Sequence, residues 1–179
     1  MDRIELNGKT FEKFIEHDEV IAAIGRVAAR INQDYAGKKP LFVVVLKGAM
    51  FFAVELMKNI ELECTMDVAS AKSYGASMTS AGQVQINLPE LDFAGKDVII
   101  LEDIIDTGHT LKKMREEILA QRPASLEIAV LVTKPAQREV EVDVKYIGME
   151  VPPKFIVGLG FDYAEYGRNL KHIYAHIGD

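Results

Sequence analysis

The stretch Val98-Ile99-Ile100-Leu101-Glu102-Asp103-Ile104-Ile105-Asp106-Thr107-Gly108-His109-Thr110-Leu111 decides the fold. Its first four residues form an unbroken apolar run rich in β-branched side chains, the composition of a strand covered on both faces. After Thr107-Gly108 the period changes, and Leu111, Met114, Ile118 and Leu119 recur at helical spacing. Ile128-Ala129-Val130-Leu131-Val132 then repeats the strand composition. Residues 98–132 therefore read as strand, helix, strand, which predicts a parallel pair joined by a right-handed crossover.

Outward from this unit the alternation continues. Leu41-Phe42-Val43-Val44-Val45-Leu46 predicts another buried strand. Before it, Ile21, Ile24, Val27, Ala28 and Ile31 fall three and four apart, predicting a helix with Asp18 as N-cap that ends before Gly37. Phe155-Ile156-Val157-Gly158, after Pro152-Pro153, predicts a further buried strand, followed by a polar, Tyr-rich tail. The small, polar segment Ser73 to Gly82 reads as a mobile loop between two strands. The expected fold class is α/β, a central parallel, Rossmann-like sheet that binds ligands at the carboxyl ends of its strands.

Composition narrows the function classes. The 179 residues suit one domain with a packed core, and 49% apolar with 27% charged residues argues against disorder. A net charge of -6 disfavours nucleic acid as a partner. Cys64 stands alone, the N-terminus lacks a basic and apolar leader pattern, and no apolar run approaches the ~18 residues of a membrane span. The expectation is a soluble cytoplasmic protein with no membrane partner. Cys64 reads as a small packing residue, and His172 and His176 as two imidazoles on the polar face of a strand.

The chemistry concentrates where the strand meets the helix. Glu102 and Asp103 end an apolar strand, and adjacent strand residues point to opposite sides. Asp106 opens the turn, and Thr107 to Thr110 offer two hydroxyls, a permissive glycine and backbone N–H groups at a helix start, the equipment for holding a phosphate. The plain alternative is that Asp106 and Thr107 cap the helix. Capping leaves Glu102 and Asp103 unexplained. Neither a Walker phosphate loop nor a dinucleotide-binding glycine fingerprint is present.

This segment resembles the phosphoribosyl-pyrophosphate (PRPP) motif of type I phosphoribosyltransferases, two acidic residues followed by Asp-Thr-Gly and a hydroxyl residue. Further matches run in order: Leu46-Lys47-Gly48-Ala49, Ser73-Tyr74-Gly75, Val132-Thr133-Lys134, Lys154 to Gly158, and Asp162-Tyr163 with Glu165-Tyr166 and Arg168. Together they resemble the hypoxanthine-guanine phosphoribosyltransferases of purine salvage. The resemblance implies one phosphoribosyltransferase domain over 1–179, its core about 18–150 and a small hood from the N-terminal segment and about 151–179.

It also implies the activity, Mg²⁺-dependent transfer of 5-phosphoribosyl from PRPP to N9 of hypoxanthine or guanine. Glu102, Asp103 and Asp162 would be metal ligands. Lys47, Gly48, Glu102, Asp103, Asp106, Thr107, Gly108, His109, Thr110 and Arg168 would bind PRPP. Lys134 would read the purine O6, with Phe155 stacking on the base and Ile156 and Asp162 beside it. Asp106, Lys134 and the loop residues Ser73 and Tyr74 would serve catalysis, and the loop that Lys47 and Gly48 resemble often carries a non-proline cis peptide, which leaves the Leu46–Lys47 conformation open. Without the resemblance, Phe155 reads as core, Lys134 as an exposed strand-end lysine and Arg168 as half of a surface ion pair. His109 stands where the family often has Lys, and Ala49 where some relatives have a second Gly. The family commonly forms homodimers or homotetramers. A xanthine-preferring or hypoxanthine-only enzyme, and a PRPP-binding regulator without turnover, are the rival readings.

Overall fold

The computed structural model describes residues 2–73 and 84–178. Along the chain run β1 (Arg3–Leu6), β2 (Lys9–Ile15), α1 (His17–Asp34), β3 (Leu41–Leu46), α2 (Met50–Met57), β4 (Thr65–Ser73) and β5 (Val84–Asn87). There follow β6 (Asp97–Ile105), α3 (His109–Leu119), β7 (Ser125–Thr133), β8 (Tyr146–Glu150), β9 (Ile156–Val157) and β10 (Ile173–His176). A six-stranded sheet has the order β5-β4-β3-β6-β7-β8, parallel except for the antiparallel β4–β5 pair. This is the α/β architecture the sequence predicts.

The apolar runs lack alternation because both sheet faces are covered. Phe42, Val44, Ile99 and Leu101 pack with Val20, Ile24, Val27 and Ile31 of α1 on one face. Val43, Val45, Ile100 and Val130 pack with Leu111, Met114 and Ile118 of α3 on the other. Neighbouring residues of one strand thus enter different cores, which is why every position must be apolar.

A second, antiparallel sheet, β1-β2-β10-β9, joins residues from the two ends of the chain. Three local expectations are corrected. Asp18 is not the N-cap: α1 starts at His17 after Glu16, whose carboxylate is taken by Lys13 at 2.6 Å, while Asp18 and Glu19 lie in the first turn, facing the positive end of the helix dipole. Phe155 is not in a buried strand, since β9 spans two residues and Phe155 is 50% exposed. Ser73 ends β4, and the rest of the expected loop, Tyr74 and Gly75 included, lies outside the described residues.

Candidate active site

The carboxyl ends of β3 and β6 open onto a cavity of about 310 Å³, lined by Lys47, Gly48, Glu102, Asp103, Asp106, Thr107, Gly108, Thr110 and Arg168. A second cavity of about 210 Å³ is lined by Lys134, Phe155, Ile156, Phe161 and Asp162. The two share Asp103, Ile104 and Asp106. Residues that lie 120 positions apart in the chain thus converge on the end of one strand.

Glu102 is buried, and its Oε1 accepts a hydrogen bond from the Asp103 backbone N–H at 3.1 Å. Glu102 and Asp103 nevertheless line the same cavity. The β6 register with β3 ends at Leu101, and the register with β7 passes from Glu102 to Ile104, so Asp103 is where the strand departs from regular pairing. Burial, and then the neighbouring Asp103 charge, push the Glu102 carboxyl well above the usual carboxylate range. Burial also raises Asp103, opposed by its hydrogen bond to Glu102. Two buried carboxyls that resist ionising together suit a site that takes a cation.

Asp103 packs on the loop after β3, where a Cβ on Gly48 would fall on its carboxylate. The Leu46–Lys47 peptide there is cis. Lys47 Nζ lies 2.8 Å from Glu165 Oε2. The other Glu165 oxygen is 3.5 Å from Arg168, which also pairs with Asp162 at 2.8 Å and donates to the Gly160 carbonyl at 2.8 Å. Arg168 is only 20% exposed and its Nε has no partner among the described residues, so it is more than a surface ion pair.

The loop after β6 is not a simple helix cap. The N-cap of α3 is Gly108, at φ +95°, and no described side chain caps the helix. A residue other than glycine there would be strained, and its Cβ would approach the Val140 carbonyl to 2.9 Å. Thr107 and Thr110 face the cavity. The Asp106 Oδ1 is buried with no hydrogen-bond partner among the described residues. His109 does not line the cavity; its Nε2 lies 2.9 Å from Glu139 on the exposed side.

On the second cavity Lys134 is 6% exposed, which overturns the exposed-lysine alternative. Burial lowers its pKa, and the nearby Asp106 charge opposes the shift. Phe155 offers an open ring face, held edge-on by Tyr163 at 5.8 Å between centroids. Asp162 holds Arg168 with one oxygen and accepts the Glu165 N–H at 2.8 Å with the other. Among the described residues no three metal-ligating side chains converge on one point, so Glu102, Asp103 and Asp162 do not form a single protein-only metal centre. That pattern suits an ion such as Mg²⁺, which keeps waters and shares its ligands with substrate phosphates.

Sequence reasoning gave no role to Glu165, which bridges two cations, or to Arg138, which bonds the back of the loop after β6. Both sit in polar, aperiodic segments, and only the lone arginine four residues beyond Lys134 could have drawn notice. Elsewhere His172 Nδ1 accepts the His17 N–H at 3.0 Å, while His176 packs edge-on against Phe11, so the two imidazoles have separate structural work. No described helix is long and apolar enough to cross a membrane.

Residues 12–164 match the family model described as a phosphoribosyl transferase domain. The chain is 44% identical over 158 residues to the hypoxanthine-guanine phosphoribosyltransferase of Streptococcus mutans, covering 87% of each chain. It is 33% identical over 172 residues to that of Aquifex aeolicus, covering 95% of this chain and 97% of the relative. Among solved structures, a hypoxanthine phosphoribosyltransferase from Staphylococcus aureus superposes with a TM-score of 0.87 at 35% identity, covering 93% of this chain and 91% of that one.

Proposed function

This chain belongs to the phosphoribosyl transferase family, and from that membership we propose that it carries out purine salvage, converting hypoxanthine or guanine and PRPP into the nucleoside monophosphate and pyrophosphate. The observation that supports this most directly is the buried Asp106 Oδ1, without a partner among the described residues, at the junction of the two cavities. A proton acceptor between a phosphate-holding loop and a base-sized pocket suits transfer of a phosphorylated sugar to a ring nitrogen. The two sheets form one catalytic domain, the parallel one carrying the sugar phosphate and the antiparallel one closing over the base.

In this reading Thr107 to Thr110 hold the 5-phosphate through hydroxyls and N–H groups. Lys47 and Arg168 face the pyrophosphate. Lys134 donates to the purine O6, a lone pair that the amino group of adenine does not offer. Phe155 stacks on the ring. As N9 bonds to the anomeric carbon and the bond to the pyrophosphate oxygen breaks, the proton lost by the base passes to Asp106. Glu102, Asp103 and Asp162 are the residues that would hold Mg²⁺, which when bound would neutralise the pyrophosphate charge.

A homodimer is the assembly this reading favours. Met50 and Val54 of α2 and Met66 and Val68 of β4 are all exposed by 45% or more and border one apolar cavity of about 590 Å³. The segment of α2 is apolar on its outer face as well as its inner one, the pattern of a helix covered on both sides. Sedimentation of the purified protein is expected to give twice the 19.9 kDa chain mass or a multiple of it, and Val54→Glu to shift it toward the monomer.

The activity is tested by incubating the protein with PRPP, Mg²⁺ and each of hypoxanthine, guanine, xanthine and adenine. IMP from hypoxanthine and GMP from guanine are expected, with adenine inert and the rate falling as EDTA removes the metal. No product from any 6-oxopurine at saturating PRPP and Mg²⁺ would refute the reading.

A further inference from the structure

We propose that Arg138 is a positioning residue for this reaction, a guanidinium clamp that fixes the loop bearing Asp106 to the strand end bearing Lys134. Arg138 Nε donates to the Asp106 carbonyl at 3.0 Å. Its Nη2 donates to Thr133 Oγ1 at 3.0 Å and to the Ile105 carbonyl at 3.4 Å. One planar group therefore spans the last residue of β6, the first loop residue and the last residue of β7.

The sheet itself cannot hold this part of the chain. The β6–β7 register ends at Ile105 opposite Thr133, so beyond that point no ladder fixes the distance between Asp106 and Lys134. What remains is the 134–140 segment. Lys134 N–H donates to the Ile105 carbonyl at 3.1 Å, and Glu139 and Val140 N–H groups donate to the Thr107 carbonyl at 3.0 and 3.1 Å. The Asp106 carbonyl, between those two, is bonded by Arg138. Among the described residues Asp106 Oδ1 has no partner, so the element that places this residue is its main chain, which Arg138 holds at the carbonyl. The Arg138 stem also backs Gly108, where an added Cβ would meet its Cδ at 3.1 Å.

The clamp needs a guanidinium. Its rigid fork reaches a carbonyl on one side and a hydroxyl on the other at once, whereas a lysine ammonium presents its donors from a single point. All these bonds face the back of the loop, leaving its cavity side open for phosphate. The sequence offers no sign of this, since the clamp joins residues 32 positions apart in the chain.

The role rests on the reaction proposed above, and the parent protein's turnover separates the two ideas: an inactive parent counts against the reaction, and an undisturbed variant of an active parent counts against the clamp. In Arg138→Met, kcat is expected to fall about 30-fold or more, with KM for hypoxanthine within about threefold, because proton transfer depends on sub-ångström placement while base binding depends on Lys134 and Phe155. Arg138→Lys should recover less than about a tenth of the loss. In Arg138→Ala, millimolar methylguanidinium should restore kcat at least about fivefold and methylammonium should not. A kcat within about twofold of the parent in Arg138→Met, equal rescue by methylammonium, or a loss that disappears when the assay is run well below the variant's Tm would overturn the clamp.

Discussion

Gly48→Ala is expected to lower kcat/KM by about 100-fold while the protein stays folded. A Cβ at this position falls on the Asp103 carboxylate, and the Gly48 carbonyl is itself in close approach to Gly160, which leaves the loop no room to retreat. Asp103 must therefore rotate out of the cavity it shares with Glu102 and Asp106. Overpacking of this kind costs about 1–3 kcal/mol in stability, well short of unfolding a domain of this size. The double variant identifies the cause. If the damage runs through the carboxylate, Gly48→Ala adds little on an Asp103→Ala background. A full additional 100-fold loss in the double variant would place the damage elsewhere in the loop.

Asp106→Asn is expected to reduce kcat by about 10²–10³-fold and to change KM for PRPP only a few-fold. The amide keeps the size of the side chain, and the loop that would hold the phosphate is organised by bonds that do not involve it, from Arg138, Glu139 and Val140. What the substitution removes is a proton-accepting carboxylate whose buried oxygen no described group competes for. A binding defect, with PRPP affinity falling in step with kcat, would show that Asp106 serves to hold the sugar phosphate. An unchanged rate would remove it from proton transfer altogether.

These two residues illustrate how differently a site can be written in a chain. Asp106 is legible because its neighbours are local: an apolar strand, a turn and an amphipathic helix within fourteen residues leave a carboxylate little structural reason to be there. Gly48 is not legible in that way. Nothing within ten residues of it says that its missing side chain makes space for Asp103, 55 positions later. Lys134 and Phe155 fall between these cases. Each has an ordinary local explanation, an exposed strand end and a core aromatic, and each explanation fails only when burial is known: Lys134 is covered and Phe155 is open.

The period of the apolar residues was sufficient for the parallel sheet, for the two helices that bracket its central strands and for the position of the phosphate-type loop, because strand and helix repeats are properties of consecutive backbone units. Contacts between distant segments carry no such period. The pairing of Lys47 with Glu165, the edge of Tyr163 against Phe155 and the hold of Arg138 on the Asp106 carbonyl exist only after the chain has brought the ends of β3, β6 and β7 beside the second sheet. Folding decided which of the charged residues face a common cavity, since side chains separated by dozens of positions acquire a distance, a burial and a shared electrostatic environment only through packing.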